Sequence, residues 1–499
     1  MKRITELNSW TALKEHAQSM QFQTLNDLHE ASASRQQQFT FATNNIAIDF
    51  SNQQINHTTL NLLFDLANEC NLREKIHNLM HGKCVNTSEK RPALHTALRN
   101  QDNQPIIVDG QDIMPDILHT LDRVRSISKQ IRAGLWLGFS GKPITDIVNI
   151  GIGGSDLSPR FCINALTKFT TKNLRYHFIS DVDPDAFSNA VDTLQPETTL
   201  FIVSSKSFTT TETLYNTQKA MDWIGHKHPI QNHFIAITAH KEKAQHYGIR
   251  HILPLWDWVG GRYSACSAIN LITAIAVGFE QFSQLLIGAN SMDKHFHNAE
   301  FTHNLPVLLA LIGIWNNNFL SIHSLLILTY STDLEYFVPY IQQLDMESNG
   351  KSIDKQGRSV NYNTGPIVWG GLGNRAQHSY YQLLCQGTHK VTLDFITLQT
   401  NENELIHAMC TTKKNVLTNG VIEEHNPDGY IPGNIPLNHT TLNNCSPFTI
   451  GALIALYEHK IYAQSVIWDI NPFDQPGVES SKRKIQIPAS VVEHGSLYF

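Results

Sequence analysis

The sequence predicts an α/β protein in which two domains, each a parallel sheet flanked by helices, follow a helical N-terminal region. Two observations carry this reading. Short β-branched runs each end in a turn of small residues and lead into helical patterning, which is the alternation of βαβ units on a parallel sheet. Ahead of them lies a stretch where polar and apolar residues mix at helical spacing, with few strand-like runs. The length of 499 residues suits two or three domains at ~150 residues each.

In chain order, residues 1–121 form the helical N-terminal region, with its pattern running from Trp10 to about Leu121. Residues 122–285 form the first α/β domain. There Ile144 to Ile150 runs into Gly151-Ile-Gly-Gly-Ser-Asp156, and Thr199 to Val203 runs into Ser204-Ser-Lys-Ser-Phe-Thr-Thr-Thr-Glu212. Residues 286–499 form the second α/β domain with a C-terminal helical segment. Phe279 to Leu320 reads as helix, and strand-like runs begin near Ser324 and recur at Lys390–Ile396 and Ser465–Ile470. The most apolar region, Leu305 to Tyr330, is broken by Asn316-Asn317-Asn318 and His323. A membrane span needs ~20 uninterrupted apolar residues, so buried helices are expected there.

Composition narrows the function. The chain is 41% hydrophobic and 16% charged, with a formal charge of -6 and no long run of one sign. A nucleic-acid binder would carry a basic stripe, and none is visible. The seven cysteines are scattered and form no C-x-x-C pair, against both a disulfide framework and a thiolate zinc site. Met1-Lys2-Arg3 is not followed by an apolar core. No secretory leader is therefore expected, and the reducing cytoplasm is the expected compartment.

The turn Gly151–Asp156 follows a strand and precedes a helix, where glycines let backbone N–H groups approach an anion. Asp156 stands where a dinucleotide fingerprint needs glycine, and no Gly-Lys-Ser/Thr closes a P-loop. Alone, this segment is explained as well by a tight β-to-α turn. The second turn says more. Ser204, Ser205, Ser207, Thr209, Thr210, Thr211 and Thr213 crowd around Lys206, and helix capping uses one or two hydroxyls, not seven. A phosphate needs several donors, and two such turns on one parallel sheet would share its carboxyl edge, where ligands bind. Arg262 in Gly260-Gly-Arg-Tyr-Ser264 and Glu347 in Met346-Glu-Ser-Asn-Gly-Lys351 are chemically able but unremarkable alone. So are His378, His389 and the lysine ending Phe473–Lys482. No H-E-x-x-H helix or Cys/His ligand spacing supports a metal, and no cofactor is expected.

Taken together and in this order, GIGGSDLSP, SSKSFTTTET, DWVGGRYSACSAIN, QQLDMESNGK, NRAQHSYYQ and INPFDQPGVESSK resemble the phosphoglucose isomerase family. Asn86–Glu89 with Arg91–Arg99 is similar to that family's N-terminal motif. The resemblance implies two sugar-isomerase (SIS-type) domains and a homodimer. It also implies reversible aldose–ketose isomerisation of glucose 6-phosphate to fructose 6-phosphate, in glycolysis and gluconeogenesis. It makes Glu347 the base that moves a proton between C2 and C1, and Arg262 the stabiliser of the enediolate. His378, not His389, matches the ring-opening histidine, which in the family comes from the neighbouring subunit. Lys482 matches the second ring-opening group, and Gln475 a substrate contact. Gly154, Ser155, Ser205, Lys206, Ser207, Thr210 and Thr213 match a phosphate cradle, with Gln343 beside the site. Ser158 and Ala376 stand where glycine is usual, Ser207 often replaces threonine, and Thr211 often replaces glutamine. Arg375 adds a charge near His378 with no evident role.

The chemistry suits these residues. A partly buried glutamate can be both basic and ionised at neutral pH, as in triosephosphate isomerase. General-base catalysis supplies roughly 10²–10⁴-fold, so enediolate stabilisation must supply much of the rest. A non-catalytic sugar-phosphate-binding SIS module is the alternative. It would keep the hydroxyl-rich turn but would not need Glu347, Arg262, His378 and Lys482 together. An aminating isomerase would need a cysteine at the mature N-terminus, where Lys2 stands.

Overall fold

The computed structural model describes residues 2–43, 45–102, 104–225, 227–399, 404–422, 426–482 and 484. Among these, thirteen strands run in chain order. They are β1 (Thr40–Ala42), β2 (Ile46–Asn52), β3 (Ile107–Val108), β4 (Gln111–Asp112), β5 (Asp146–Ile150), β6 (Arg175–Ile179), β7 (Thr199–Ser204), β8 (Phe234–Thr238), β9 (His251–Pro254), β10 (Ser324–Thr329), β11 (Ile367–Leu372), β12 (Thr392–Leu398) and β13 (Leu437–Leu442). The chain divides into two units. The first takes residues up to Met80, Val85–Lys90 and Gly288–Pro472; the second takes His81–Cys84, Arg91–Ile287 and the chain from Phe473 onward.

The second unit holds a five-stranded parallel sheet in the order β6-β5-β7-β8-β9. β5, β7 and β8 are buried along their whole length, because helices cover both faces, and such strands read as continuous apolar runs. Val148, Ile150, Phe201, Val203 and Phe234 pack on Leu214, Ala220 and Ile224 of the helix Thr211–Ile224. The order reverses between β5 and β7. The turns that follow those two strands therefore flank the switch point, where doubly wound sheets bind ligands.

The first unit holds a six-stranded sheet, β1-β2-β13-β12-β10-β11. Its four parallel strands β10 to β13 reverse order between β10 and β12. β2 joins β13 antiparallel, and β1 joins β2 antiparallel. Leu326, Leu328, Leu393 and Phe395 pack on Tyr381, Leu384, Cys410 and Leu417. Behind them runs the helix Pro447–Ile467, buried on every side.

Two expectations change. The N-terminal region 1–121 is helical but contributes β1 and β2 to the first unit's sheet, and it is divided between the two units. β2 reads Ile-Ala-Ile-Asp-Phe-Ser-Asn, with six of its seven residues buried between β1 and β13, and its buried polar groups find partners, Ser51 N donating to Asp49 Oδ1 at 2.8 Å. Ser465–Ile470 is not a strand. It ends the helix Pro447–Ile467 and turns at Asp469, whose φ is 50°. A helix buried all round lacks amphipathic periodicity, and its apolar end reads as a strand. Among the described residues, no helix is long and apolar enough to cross a membrane.

Candidate active site

In the second unit, β5 delivers the glycine turn to the start of the helix Gly154–Ala165. Gly153 has φ 59°, a left-handed conformation open to glycine. Gly154 is required for a different reason. A Cβ there would lie 2.0 Å from Gly261 O and 2.9 Å from Arg262 N. The glycine turn and the Gly260–Ser264 segment are thus in backbone contact. Asn149 on β5 ties the first turn to β7: its Nδ2 donates to Ser155 O at 2.9 Å, and Ser204 Oγ donates to its Oδ1 at 3.3 Å. Asp156 is buried, which pushes its carboxyl up against the pull of Arg160, its ion-pair partner at 2.7 Å.

The hydroxyl-rich turn leaves β7 and enters the helix Thr211–Ile224. Ser205 Oγ donates to Thr210 Oγ1 at 3.3 Å and accepts from Phe208 N at 3.1 Å. Thr209 Oγ1 donates to Ser207 Oγ at 2.9 Å. Thr210 is the N-cap, yet its side chain makes no capping bond. Thr213 Oγ1 is buried with no hydrogen-bond partner in the protein. Lys206 is held differently from the expectation of a simple anion contact. Its ammonium donates to Asp257 O at 2.8 Å and Val259 O at 2.9 Å, on the segment where Trp256 and Trp258 stack at 4.9 Å.

Arg262 is 2% exposed on a single 3₁₀ turn, Gly261–Tyr263. Its Nη1 donates to Gln475 Oε1 and its Nη2 to Asp474 O, both at 3.0 Å. Gln475 Nε2 in turn donates to Glu479 Oε1 at 2.9 Å in the helix Pro476–Lys482. That helix ends at Lys482, which is exposed. Sequence reading did not foresee how Arg262 is buttressed. Leu94 N donates to Trp258 O at 3.0 Å, the His95 and Tyr263 rings lie 4.8 Å apart, and Arg99 Nη1 reaches Cys266 Sγ at 3.5 Å. The order R-P-A-L-H-T-A-L-R signalled a motif but not its packing partner.

In the first unit, Glu347 lies half-buried at the end of a π-helical turn, Gln343–Glu347, and accepts from Gln343 Nε2 at 2.8 Å. Gln343 Oε1 is buried with no protein partner. Gln342 Nε2 donates to Val368 O of β11 at 3.1 Å, tying this helix to the edge strand. β11 then leads through Gly373–Ala376 to His378, which is exposed and whose N–H donates to Arg375 O at 3.1 Å. His389 is also exposed. Arg375 is accounted for by an ion pair with Glu335. Lys351 Nζ donates to the carbonyls of Glu347, Ser348 and Asn471, which closes the turn after Glu347.

The structure thus brings together Arg262 with Gln475, Ser205 with Thr210, and Gln343 with Glu347. Glu347, Gln343 and His378 belong to the first unit, whereas the hydroxyl turn, Arg262, Gln475 and Lys482 belong to the second.

The model of the phosphoglucose isomerase family matches residues 49–494. The glucose-6-phosphate isomerase of Legionella pneumophila (strain Lens) is 59% identical over 482 residues, covering 97% of this chain and 97% of that relative. That of Pseudomonas fluorescens (strain Pf0-1) is 43% identical, covering 96% of this chain and 92% of the relative. The crystal structure of a glucose-6-phosphate isomerase from Chlamydia trachomatis D/UW-3/Cx superposes with a TM-score of 0.90 at 31% identity, over 97% of this chain and 95% of that one.

Proposed function

The chain belongs to the phosphoglucose isomerase family, and we infer that it interconverts glucose 6-phosphate and fructose 6-phosphate through an enediolate. Full-length identity of 59% to a relative bearing that activity's name carries the reading. A non-catalytic sugar-phosphate module is not favoured.

The substrate phosphate binds at the switch point of the five-stranded sheet. Ser155, Ser205, Ser207, Thr210 and Thr213 supply hydroxyl donors, and Gly154 begins the helix whose N–H groups face the anion. Lys206 adds its charge beside the cradle while its ammonium braces the Asp257–Val259 backbone. Phosphate contacts far from the reacting carbons provide binding energy for positioning. His378 and Lys482 open the ring, one taking the hydroxyl proton and the other serving the ring oxygen. The Glu347 carboxylate then takes the C2 proton as the C1 carbonyl becomes an enediolate oxygen; the O2 hydroxyl proton passes to O1, and Glu347 returns its proton to C1 as the carbonyl forms at C2. Arg262 stabilises the developing oxyanion. Its hydrogen bonds to Gln475 and Asp474 support a guanidinium aimed before substrate arrives, and preorganised charge is the largest single contribution in such sites. Gln343 orients the carboxylate, and Gln475 contacts the sugar.

The protein acts as a cytoplasmic homodimer in which His378 serves the neighbouring subunit's site. The exposure of His378 supports that assignment. Glu347→Gln tests the base: isomerisation and exchange of the C2 proton with solvent should both stop while ring opening continues. Retained C2 exchange would defeat the assignment.

A further inference from the structure

The turn that carries Glu347 is held from behind by a charged pair that the isomerase chemistry leaves unused. Phe337–Gln342 is α-helical, and the chain then widens into the π turn Gln343–Glu347. A π turn closes i→i+5 and survives mostly as a single-turn bulge at functional sites. Relaxing to the α register would shift the backbone by one residue and swing each later side chain by roughly 100°. Glu347 would then point elsewhere, so the register needs a lock.

Two residues before Glu347, Asp345 is fully buried. Lys460, midway along the buried helix Pro447–Ile467, donates to Asp345 Oδ2 at 2.7 Å, and neither side chain is more than 2% exposed. Asn349 Nδ2 approaches Asp345 Oδ1 at 3.4 Å. Lys460 also acts on a second buried carboxyl, Asp394 of β12, to which Asn438 Nδ2 donates at 2.6 Å and Tyr457 OH at 3.2 Å. Desolvating ions in a core is costly, and apolar residues of similar size would pack as well or better. The best-attested return on such a pair is fixing one register against another. We propose that Asp345 and Lys460 are a positioning pair that locks the π turn and so aims Glu347. The inference rests on the reading of Glu347 as the base. Neither residue touches the substrate.

Three variants of the full-length enzyme decide the matter: Asp345→Asn, the double variant Asp345→Leu/Lys460→Met, and Glu347→Gln. In Asp345→Asn, the amide oxygen can still accept from Lys460 Nζ, but removing one charge of a buried pair destabilises, so kcat is read well below a lowered melting point. The double variant removes both charges, and Asn349 Nδ2 keeps Ile461 O and Gln464 Oε1 within 3.5 Å. The double variant should melt within a few degrees of the parent. In both variants kcat and the C2 exchange rate should fall together by ~10–100-fold, as a misplaced catalytic group does, while KM for fructose 6-phosphate stays within about two-fold. A purely structural pair would return kcat along with the melting temperature, and parental kcat in Asp345→Asn or in the double variant overturns the lock. Should the double variant not fold, Asp345→Asn decides alone. Retained C2 exchange in Glu347→Gln instead defeats the base reading. A dead Glu347→Gln beside fully active Asp345 variants defeats only the lock.

Discussion

Gly154→Ala places one methyl group where two motifs meet. The added Cβ would lie 2.0 Å from Gly261 O, 2.4 Å from Gly261 C and 2.9 Å from Arg262 N. Ordinary contact begins near 3.4 Å, so one backbone must retreat by about 1.4 Å. Helix propensity alone would favour alanine over glycine by about 1 kcal/mol. Overpacking against rigid backbone costs about 1–3 kcal/mol, occasionally more, so the clash should win. Net of the alanine gain, up to about 2 kcal/mol is lost, and at ~2–4 °C per kcal/mol for a unit of this size the melting point should fall by up to roughly 8 °C. The segment pushed aside carries Arg262, and a 1 Å misplacement can cost ~10²-fold in rate. Scanning calorimetry and a coupled assay with fructose 6-phosphate would read both effects. Gly261→Ala is the control: nothing lies within 4 Å of a Cβ there, so its melting point should hardly move. A Gly154→Ala enzyme with parental melting point and kcat would refute the claim that this contact positions Arg262.

Ser205→Ala with Thr210→Ala should raise KM and lower kcat, with binding of phosphate analogues weakened by tens-fold or more, since a hydrogen bond to a charged group is worth ~1.5–3 kcal/mol; unchanged analogue binding would mean that these hydroxyls only shape the turn. Glu347→Ala and His378→Ala chains, each nearly inactive, should recover about a quarter of all sites when unfolded, mixed equally and refolded, because half the dimers are mixed and each of those holds one intact site; no recovery in mixed dimers confirmed by tagging would place both groups on one chain. Burial lowers His439 to about 4, with its Nε2 2.9 Å from Thr397 Oγ1. A histidine so depressed stabilises the fold above its unfolded pKa of about 6.5 and loses that contribution as pH falls toward 4, so stability should drop by about 2 kcal/mol between pH 7 and 5. His439→Gln should flatten that slope in denaturant titrations, and an unaltered slope would reject the assignment.

The parts of this fold that could be read in advance are those whose local chemistry repeats their tertiary role. β5 and β7 are apolar because helices cover both faces, and their turns are small and polar because the chain leaves the sheet's carboxyl edge there for a helix. β2 was hidden because its partner β13 lies far along the chain, and no local pattern announces an antiparallel addition to a parallel sheet. The helix Pro447–Ile467 was half-hidden because a helix buried all round has no polar stripe. Its run Glu458-His459-Lys460 was nonetheless a signal: three titratable residues inside an otherwise apolar stretch need buried partners. His459 has Asp293 at 2.6 Å and Lys460 has Asp345. Motif matching named Glu347, Arg262, His378 and Lys482 but not what orients them. The Asn149 tie to Ser204, the Asp345–Lys460 pair behind the π turn and the Leu94–Arg99 buttress are relations between distant segments, and single-residue spacing does not carry them.

The division of the chain also sets an order of events during synthesis. The second unit draws nearly all its residues from one stretch, Arg91–Ile287, interposed between the pieces of the first. Its sheet can pair as soon as it clears the ribosome. The first unit must wait: β2 leaves early, but Gln53 Nε2 finds Asn438 Oδ1 only across 385 residues. At ~5–20 residues per second, β2 can pair with β1 at once but keeps its β13-facing edge open for roughly 20–80 s, a window in which an exposed strand edge invites aggregation.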